Sequence, residues 1–151
     1  MFKPIRLTKQ GYEDFKAEQR KLKAEREHAV ADLKTAREMG DLSENAAYKV
    51  ARSRLSSIDS RLRHVERILK RVEVIDRRSG GTVDIGAEVI LGSPDSELQI
   101  TLVDGYESDM NKGKISVFSP IGKAIRGRKK GDNIIIKTPG GITEYRILSV
   151  K

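Results

Sequence analysis

A repeat of apolar residues spaced three and four apart most constrains the fold of this chain. The repeat runs along two consecutive segments, at Tyr12, Phe15, Gln19, Leu22, Arg26, Ala29, Leu33 and Ala36, and at Tyr48, Ala51, Leu55, Ile58, Leu62, Val65, Leu69 and Val72. This spacing places one apolar seam on each helix and is typical of left-handed coiled coils. Gln19 and Arg26 are polar interruptions. The pattern predicts an antiparallel coiled-coil hairpin with arms of about 30 residues, each about 45 Å long.

The ends of the first predicted helix have suitable capping residues. Thr8 can accept a hydrogen bond from the first turn, and Gly40 can end the helix because glycine tolerates the backbone that follows a last turn. No proline and only this one glycine lie between Gly11 and Gly80. The sequence therefore predicts a single turn, close to Gly40, between two uninterrupted arms.

Beyond residue 80 glycine and proline become frequent, and the pattern indicates a small antiparallel β domain. The candidate strands are Glu88–Leu91, Leu98–Val103, Lys114–Phe118, Asn133–Lys137 and Thr143–Val150. Thr138-Pro139-Gly140-Gly141 is typical of a hairpin turn, and Ser119-Pro120 of the start of a short helix. The predicted class is α+β, with a helical domain at residues 1–78, a β domain at 79–151 and a linker at 76–82.

Composition excludes several classes of protein. The 151 residues include no cysteine, which excludes disulfide scaffolds, Cys-ligated metal sites and thiol nucleophiles. The longest apolar run is three residues and the first ten residues lack a signal-peptide core, so a cytoplasmic protein without a membrane partner is expected. The net charge is +8, and residues 1–78 carry 20 Lys and Arg against 13 Asp and Glu. That excess favours a polyanionic partner.

The turn between the arms has a distinctive sequence, AREMGDLSENAAY at residues 36–48. It closely resembles the coiled-coil tip of the Gre factors, which rescue stalled bacterial RNA polymerase. The similarity extends to LTKQGY at 7–12, SPIGKAIRG at 119–127 and TPGG at 138–141. It therefore covers nearly the whole chain.

The resemblance implies a mechanism and a set of partners. In this family an FKBP-like second domain docks on RNA polymerase, and the coiled coil enters the secondary channel. Two acidic tip residues then reach the polymerase active centre, and the matching residues here are Asp41 and Glu44. The resemblance implies that they share Mg²⁺ with the polymerase, that no cofactor binds stably to the factor alone, and that the factor is not itself an enzyme. The expected partners of this monomer are RNA polymerase and the 3′ end of nascent RNA.

The chemistry of the two carboxylates agrees with this role, although a structural alternative exists. RNA hydrolysis by two metal ions needs hard oxygen ligands, and carboxylates three residues apart at a turn can converge on one Mg²⁺ or its water. Asp41-x-x-Glu44 is also a capping-box pattern, with Ser43 as another candidate cap. Family members usually carry a third acidic residue where this chain has Ala47, so the tip is less negative. Tyr48 fits the family motif and also lies on the seam, where core packing is its expected role.

The return helix is rich in cations, with eight between Lys49 and Arg71 against two acids. In the family, a basic patch on this arm attracts the displaced RNA 3′ segment. The alternative is an ordinary solvated helix face. The candidate RNA contacts, here called the basic stripe, are Lys49, Arg52, Arg63 and Arg67. The basic coil and LSSIDSRLR at 55–63 favour a GreB-like over a GreA-like factor.

In the second domain, Ser119, Pro120 and Ile121 match the polymerase-docking segment of the family. A simple strand-to-helix turn is the alternative. Two roles are open for the nearby cations: exposure to solvent, or contact with an acidic surface of polymerase. These cations are Arg126, Arg128, Lys129 and Lys130.

Three other functions compete with transcript cleavage. The first is a Gre-like secondary-channel binder that inhibits polymerase, against which Asp41 and Glu44 argue. The second is an FKBP-like peptidyl-prolyl isomerase or chaperone, although aromatic residues are scarce in the second domain. The third, binding of DNA or RNA without polymerase, depends on charge alone.

Overall fold

The computed structural model describes residues 3–41, 44–76 and 80–151. The chain divides into two compact units, one formed by Tyr12–Arg71 and the other by Met1–Gly11 together with Val72–Lys151. The second unit therefore also contains the first eleven residues, which the sequence grouped with the helical arms. The centre of the predicted linker, residues 77–79, lies outside the described residues.

The helical unit is built from two long helices, α1 (Lys9–Arg37) and α2 (Ala46–Leu69). The predicted seam is confirmed along both: Phe15, Leu22, Ala29 and Ala36 are buried on α1, and Ala51, Ile58 and Val65 on α2. The prediction for Val72 was wrong, because this residue lies in a strand. Ile68, which is 2% exposed, is an additional buried position at the end of α2.

Over its described residues, the other unit contains seven strands and one short α-helix. The strands are β1 (Ile5–Thr8), β2 (Val72–Ile75), β3 (Glu88–Gly92), β4 (Glu97–Val103), β5 (Lys114–Ser116), β6 (Asn133–Thr138) and β7 (Gly141–Val150), and the helix is α3 (Pro120–Ile125). Short 3₁₀ turns occur at Gly105–Glu107 and Met110–Lys112. This confirms the α+β class and the five strands predicted beyond residue 80, each within two residues at either end.

Strands β3 to β7 form one sheet in the order β5-β4-β3-β7-β6. Its pairs are antiparallel except β4–β5, which is parallel because a loop with two 3₁₀ turns carries the chain back so that Lys114 lies opposite Thr101 of β4. The predicted hairpin turn is confirmed, since Thr138 pairs with Gly141. One face of the sheet and α3 enclose a core that includes Val89, Leu91, Leu102, Ile125 and Ile147.

Strands β1 and β2 form a separate two-stranded parallel pair with Ile5 opposite Val72. Neither strand was predicted from the sequence. Ile5 and Leu7 are buried, at 3% and 0% exposed. The pair joins the start of α1 to the residues that follow α2, so the two ends of the hairpin meet in one unit.

The start of α1, here called the root (Thr8–Gly11), is held by a buried carboxylate. The Thr8 hydroxyl accepts a 3.0 Å hydrogen bond from the Gly11 N–H, which confirms Thr8 as the N-cap. Glu107, 8% exposed, accepts bonds from the Thr8 N–H at 2.9 Å and from the Thr8 hydroxyl at 2.7 Å. Gly11 packs so closely against Glu107 that an added Cβ would lie 2.0 Å from a carboxylate oxygen. The Lys114 ammonium lies 3.8 Å from the same carboxylate.

Candidate functional site: the tip and the basic stripe

The turn joining the two arms, here called the tip (residues 38–45), is closed by Asn45. Its side chain accepts a hydrogen bond from the Tyr48 N–H at 3.1 Å and donates one to the Ala36 carbonyl at 2.7 Å. Asn45 is therefore the N-cap of α2 and also ties the start of α2 to the end of α1. Gly40 has φ of +131°, a conformation that favours glycine, directly after the last turn of α1. This confirms the predicted end of the first arm.

The cap at Asn45 removes one alternative for the acidic pair. Asp41 and Glu44 precede the cap, so they do not form the capping box that their spacing suggested. Ser43, the other candidate cap, lies outside the described residues. The side chains of Asp41 and Glu44 are exposed. Both carboxylates are therefore accessible to a partner at the turn of the hairpin.

The two tip carboxylates are not part of a larger metal-binding cluster. Within the described ranges, no group of three or more His, Cys, Asp or Glu side chains could hold a metal ion. Two carboxylate groups are hard oxygen donors that suit Mg²⁺, but Mg²⁺ requires six ligands in total. The donor set fits a metal whose other ligands come from water or from a partner.

An apolar surface borders the acidic pair. Met39 and Val50 are each 69% exposed, and Ala46 and Ala47 line the same shallow groove at the tip. Ala47 is exposed in this groove, so this side of the tip is apolar. The sequence of residues 39–50 already contains these apolar side chains, but only the charge of this segment was used for prediction.

Tyr48 is half-buried, and the Arg37 guanidinium lies 5.8 Å from its ring centroid. This distance is within the range of a cation–π contact. Tyr48 thus links the end of α1 to the start of α2, in agreement with the packing role predicted for it.

The basic stripe lies on one exposed face of α2. Lys49, Arg52, Arg63 and Arg67 follow each other at steps of three, eleven and four residues, which keeps them on one side of a helix. They span about 27 Å along its axis at 1.5 Å per residue. In the part of the chain that the structure describes, none of the four forms an ion pair with an acidic side chain. Their charges are available for a partner.

Other cations of α2 are already paired with α1. Arg61 donates two hydrogen bonds to the Glu18 carboxylate, at 2.6 and 3.0 Å, and Arg54 donates one to Asp32 at 2.8 Å. The hydrogen bond to Glu18 raises the pKa of Arg61, against the lowering effect of burial. Asp59, an acid of α2, is bound by Arg26 at 2.6 Å. The cations of α2 thus divide into a set that links the two arms and a set without acidic partners.

The docking segment predicted in the β unit contains residues that face the protein interior and residues that face solvent. The Ser119 hydroxyl accepts a bond from the Gly122 N–H at 3.0 Å and donates one to the Ser116 carbonyl at 2.7 Å, so it caps α3. Ile121 packs against the core of the sheet. Pro120 is exposed at the first position of α3. Of the three, only Pro120 presents most of its surface to solvent.

Both parts of the chain match models of a known protein family. Residues 5–74 match the N-terminal domain described as "Transcription elongation factor, N-terminal", and residues 78–151 match "Transcription elongation factor, GreA/GreB, C-term". The chain belongs to the GreA/GreB family of transcription elongation factors. Neither long helix could span a membrane over the residues that the structure describes.

Similar proteins agree over the full length. The transcription elongation factor GreA of Rhodospirillum rubrum is 43% identical over 152 residues, covering 97% of each chain. The GreA protein of an Anaeromyxobacter species is 42% identical, covering 97% of this chain and 91% of its own. A solved structure of the transcription factor Gfh1 is 28% identical, covers 99% of both chains and has a TM-score of 0.51.

These relatives support the Gre resemblance but not every detail of it. The two relatives from Rhodospirillum rubrum and Anaeromyxobacter carry the name GreA, but this does not decide whether the present chain acts in a GreA-like or a GreB-like way. The isomerase alternative receives no support from any of them, because all are transcription factors.

Proposed function

We propose that this GreA/GreB-family factor binds bacterial RNA polymerase through its secondary channel and stimulates the polymerase to cleave backtracked nascent RNA. The observation that carries the proposal is the tip: Asp41 and Glu44 are exposed beside a turn that Asn45 closes. Both carboxylates are exposed at the turn of a helical hairpin, which suits groups that act in the site of a partner. The factor then supplies two carboxylates, and the polymerase supplies the rest of the catalytic centre.

The two carboxylates have a definite chemical task in this scheme. A second Mg²⁺ in a phosphodiester-cleaving site lowers the pKa of a bound water and stabilises the charge that develops on phosphate oxygens. Asp41 and Glu44 would hold that ion or its water and orient the water toward the phosphorus. Because they are near the end of two braced helices, they need little reorganisation when they enter the site.

The basic stripe supports a further part of the proposal. Unpaired cations spread over about 27 Å can follow a displaced RNA strand by contacting successive phosphates. Such contacts are independent of sequence, which suits a factor that acts wherever polymerase stalls. Arg52, Arg63 and Arg67 would hold RNA that extends beyond the active centre, and Lys49 would contact the phosphates closest to the tip.

The test is to incubate the factor with a backtracked elongation complex and to resolve the RNA products by length. If the factor stimulates cleavage, short RNA fragments that carry the original 3′ end should be released. Transcription should then resume when nucleotides are added. An inhibitor of the same channel would slow transcription and release no short RNA, which would contradict the proposal. A control without polymerase should release none, because the factor alone is not proposed to be an enzyme.

A further inference from the structure

The two hydrogen bonds of the Asn45 side chain together require an amide. Its oxygen accepts from the Tyr48 N–H at 3.1 Å, and its nitrogen donates to the Ala36 carbonyl at 2.7 Å. Ser and Asp cap helices about as well as Asn does, because a cap needs only an acceptor. Ionised Asp has no donor, and the Ser oxygen is one bond closer to the backbone than the Asn nitrogen. The bond to Ala36, here called the tie, therefore goes beyond what a helix cap requires.

The tie ends on a carbonyl that also holds the other side of the turn. The Met39 N–H donates to the same Ala36 carbonyl at 3.2 Å. Ala36 is 5% exposed, so it belongs to the packed end of α1. Met39 lies two residues before Asp41. Asn45 directly follows Glu44. One buried residue thus fixes both of the chain segments that lead to the acidic pair.

A second contact joins the same two helix ends. The Arg37 guanidinium lies 5.8 Å from the centroid of the Tyr48 ring, and Arg37 directly follows Ala36. A single contact leaves rotation about it free, whereas two neighbouring contacts restrict the direction in which α2 leaves the turn. The start of α2 is therefore held against the end of α1 at two adjacent positions.

Positioning matters for the acidic pair because of its charge. Two carboxylates that share one Mg²⁺ must be brought close together, although they repel each other while no ion is bound. In a loose turn they would separate, and binding the ion would have to restrict the turn. An arrangement that is set before binding avoids this loss of entropy and favours attack by an oriented water.

We propose that Asn45 is a positioning residue for stimulated cleavage: through the tie to Ala36 it keeps Asp41 and Glu44 at a separation from which both can reach one Mg²⁺. This inference rests on the proposed function and deepens it. Asn45 itself touches neither the ion nor the RNA. Its effect on the reaction passes through the two carboxylates.

The test replaces Asn45 with two side chains that can cap α2 but cannot form the tie. Asn45→Asp keeps the shape and adds a charge, whereas Asn45→Ser adds none. Each should lower the maximal rate of stimulated cleavage about tenfold or more and raise the Mg²⁺ concentration needed for half-maximal cleavage, as loss of a group that orients metal ligands does. The half-saturating factor concentration should stay within about twofold of the parent. The thermal midpoint should stay within about 4 °C, because the cap is kept.

Asp59→Ala is the matched control, because it also removes a bond between the arms, the one from Arg26 in the middle of α2. Its maximal rate and Mg²⁺ requirement should equal those of the parent. A further readout needs no polymerase. The NMR order parameters of the Asp41 and Glu44 amide groups in the free factor should fall in both Asn45 variants and remain unchanged in Asp59→Ala.

The outcomes separate this inference from the proposed function. Parent-like cleavage by either Asn45 variant would overturn the positioning role, and so would unchanged order parameters at the acidic pair. An equal loss of rate in Asp59→Ala, or a loss that accompanies melting of the hairpin, would assign the effect to stability and overturn it as well. A parent that binds polymerase without stimulating cleavage would contradict the proposed function, while lower order parameters in the variants would still support the tie as the device that positions the pair.

Discussion

Carboxylates lie at both ends of α1, and their surroundings are opposite. At the root, Glu107 is 8% exposed and accepts two hydrogen bonds from Thr8. At the tip, Asp41 and Glu44 are exposed and precede a cap that does not need them. A buried carboxylate must be satisfied within the protein because an unpaired one is costly, whereas an exposed one keeps its binding capacity. The root therefore serves the fold, whereas the tip presents exposed carboxylates to a partner.

The same contrast divides the cations of α2. Arg54 and Arg61 bind acids of α1, while the basic stripe has no acidic partner among the described residues. Arginine residues of the same helix thus have different roles, depending on the side of α2 on which they lie. Charge counted along the sequence cannot make that distinction.

The largest effect is expected at the root. Glu107→Ala leaves the Thr8 N–H and hydroxyl without their acceptor and removes the carboxylate beside Lys114, and should lower the free energy of unfolding by about 2–4 kcal/mol. Denaturant titration monitored by circular dichroism measures this loss. Glu144→Ala removes an exposed carboxylate from β7 and should change stability by less than about 0.5 kcal/mol. Equal losses for the two variants would show that the root carboxylate is not structural.

The tip should behave in the opposite way. Asp41→Asn and Glu44→Gln keep side-chain size and remove charge, so each should reduce stimulated cleavage about 10- to 100-fold, as for groups that orient a metal or its ligands. Stability should change by less than about 0.5 kcal/mol, since neither residue caps α2. Cleavage kinetics with saturating factor and a parallel thermal melt give both values. A large loss of stability would show that Asp41 and Glu44, like Glu107, stabilise the fold.

The basic stripe should matter only for long displaced RNA. Neutralising Arg52, Arg63 and Arg67 removes exposed contacts worth up to about 1 kcal/mol each, so retention of a long 3′ segment should fall about tenfold or more. A short segment would not reach these cations. Cleavage measured against backtrack length tests this, with Arg54→Gln as the control in the set that pairs with α1. An equal loss at every length would assign the stripe to docking or to hairpin stability.

The smallest effect is expected for the ion pair between Glu18 and Arg61, which links α1 to α2. Glu18→Gln should lower the free energy of unfolding by less than about 1 kcal/mol, because the two side chains are 32% and 48% exposed and solvent screens the pair. The hydrogen bond to Glu18 raises the pKa of Arg61, so the stability that this pair adds is complete below the ordinary pKa of an arginine and is lost only as the pH rises through the raised one. Changing the pH from 6 to 9 should therefore leave the Arg61 contribution unchanged, whereas added salt should reduce it. A double-mutant cycle with Arg61→Gln measures the coupling.

Features with a local or periodic signal could be predicted from the sequence. The seam on α1 and α2 was visible because its positions, which include the buried residues, recur every three or four residues, and Thr8 was identifiable as a cap from its place before the first helix. The strands beyond residue 80 were bounded by glycine and proline. Long-range pairings carried no such signal: β1 and β2 are four residues each and pair across more than sixty residues. Val72 continued the helical spacing and was therefore misassigned.

The candidate site was predictable in its residues but not in its geometry. The tip contains several side chains that commonly cap helices, and the sequence could not show that Asn45, rather than Asp41 or Ser43, takes this place. Glu107 gave no signal at all, since its burial depends on the contact with Thr8, 99 residues away.

The most direct test of the tip carboxylates is the Mg²⁺ dependence of stimulated cleavage at saturating factor, for the parent and for Asp41→Asn. If Asp41 helps to recruit the ion, the variant should need about tenfold more Mg²⁺ for half-maximal cleavage, and high Mg²⁺ should restore part of the lost rate by mass action. Polymerase affinity should be unchanged, and cleavage by polymerase without factor serves as the baseline. An Asp41→Asn factor that cleaves like the parent at every Mg²⁺ concentration would contradict the assignment of the tip as a metal-recruiting site.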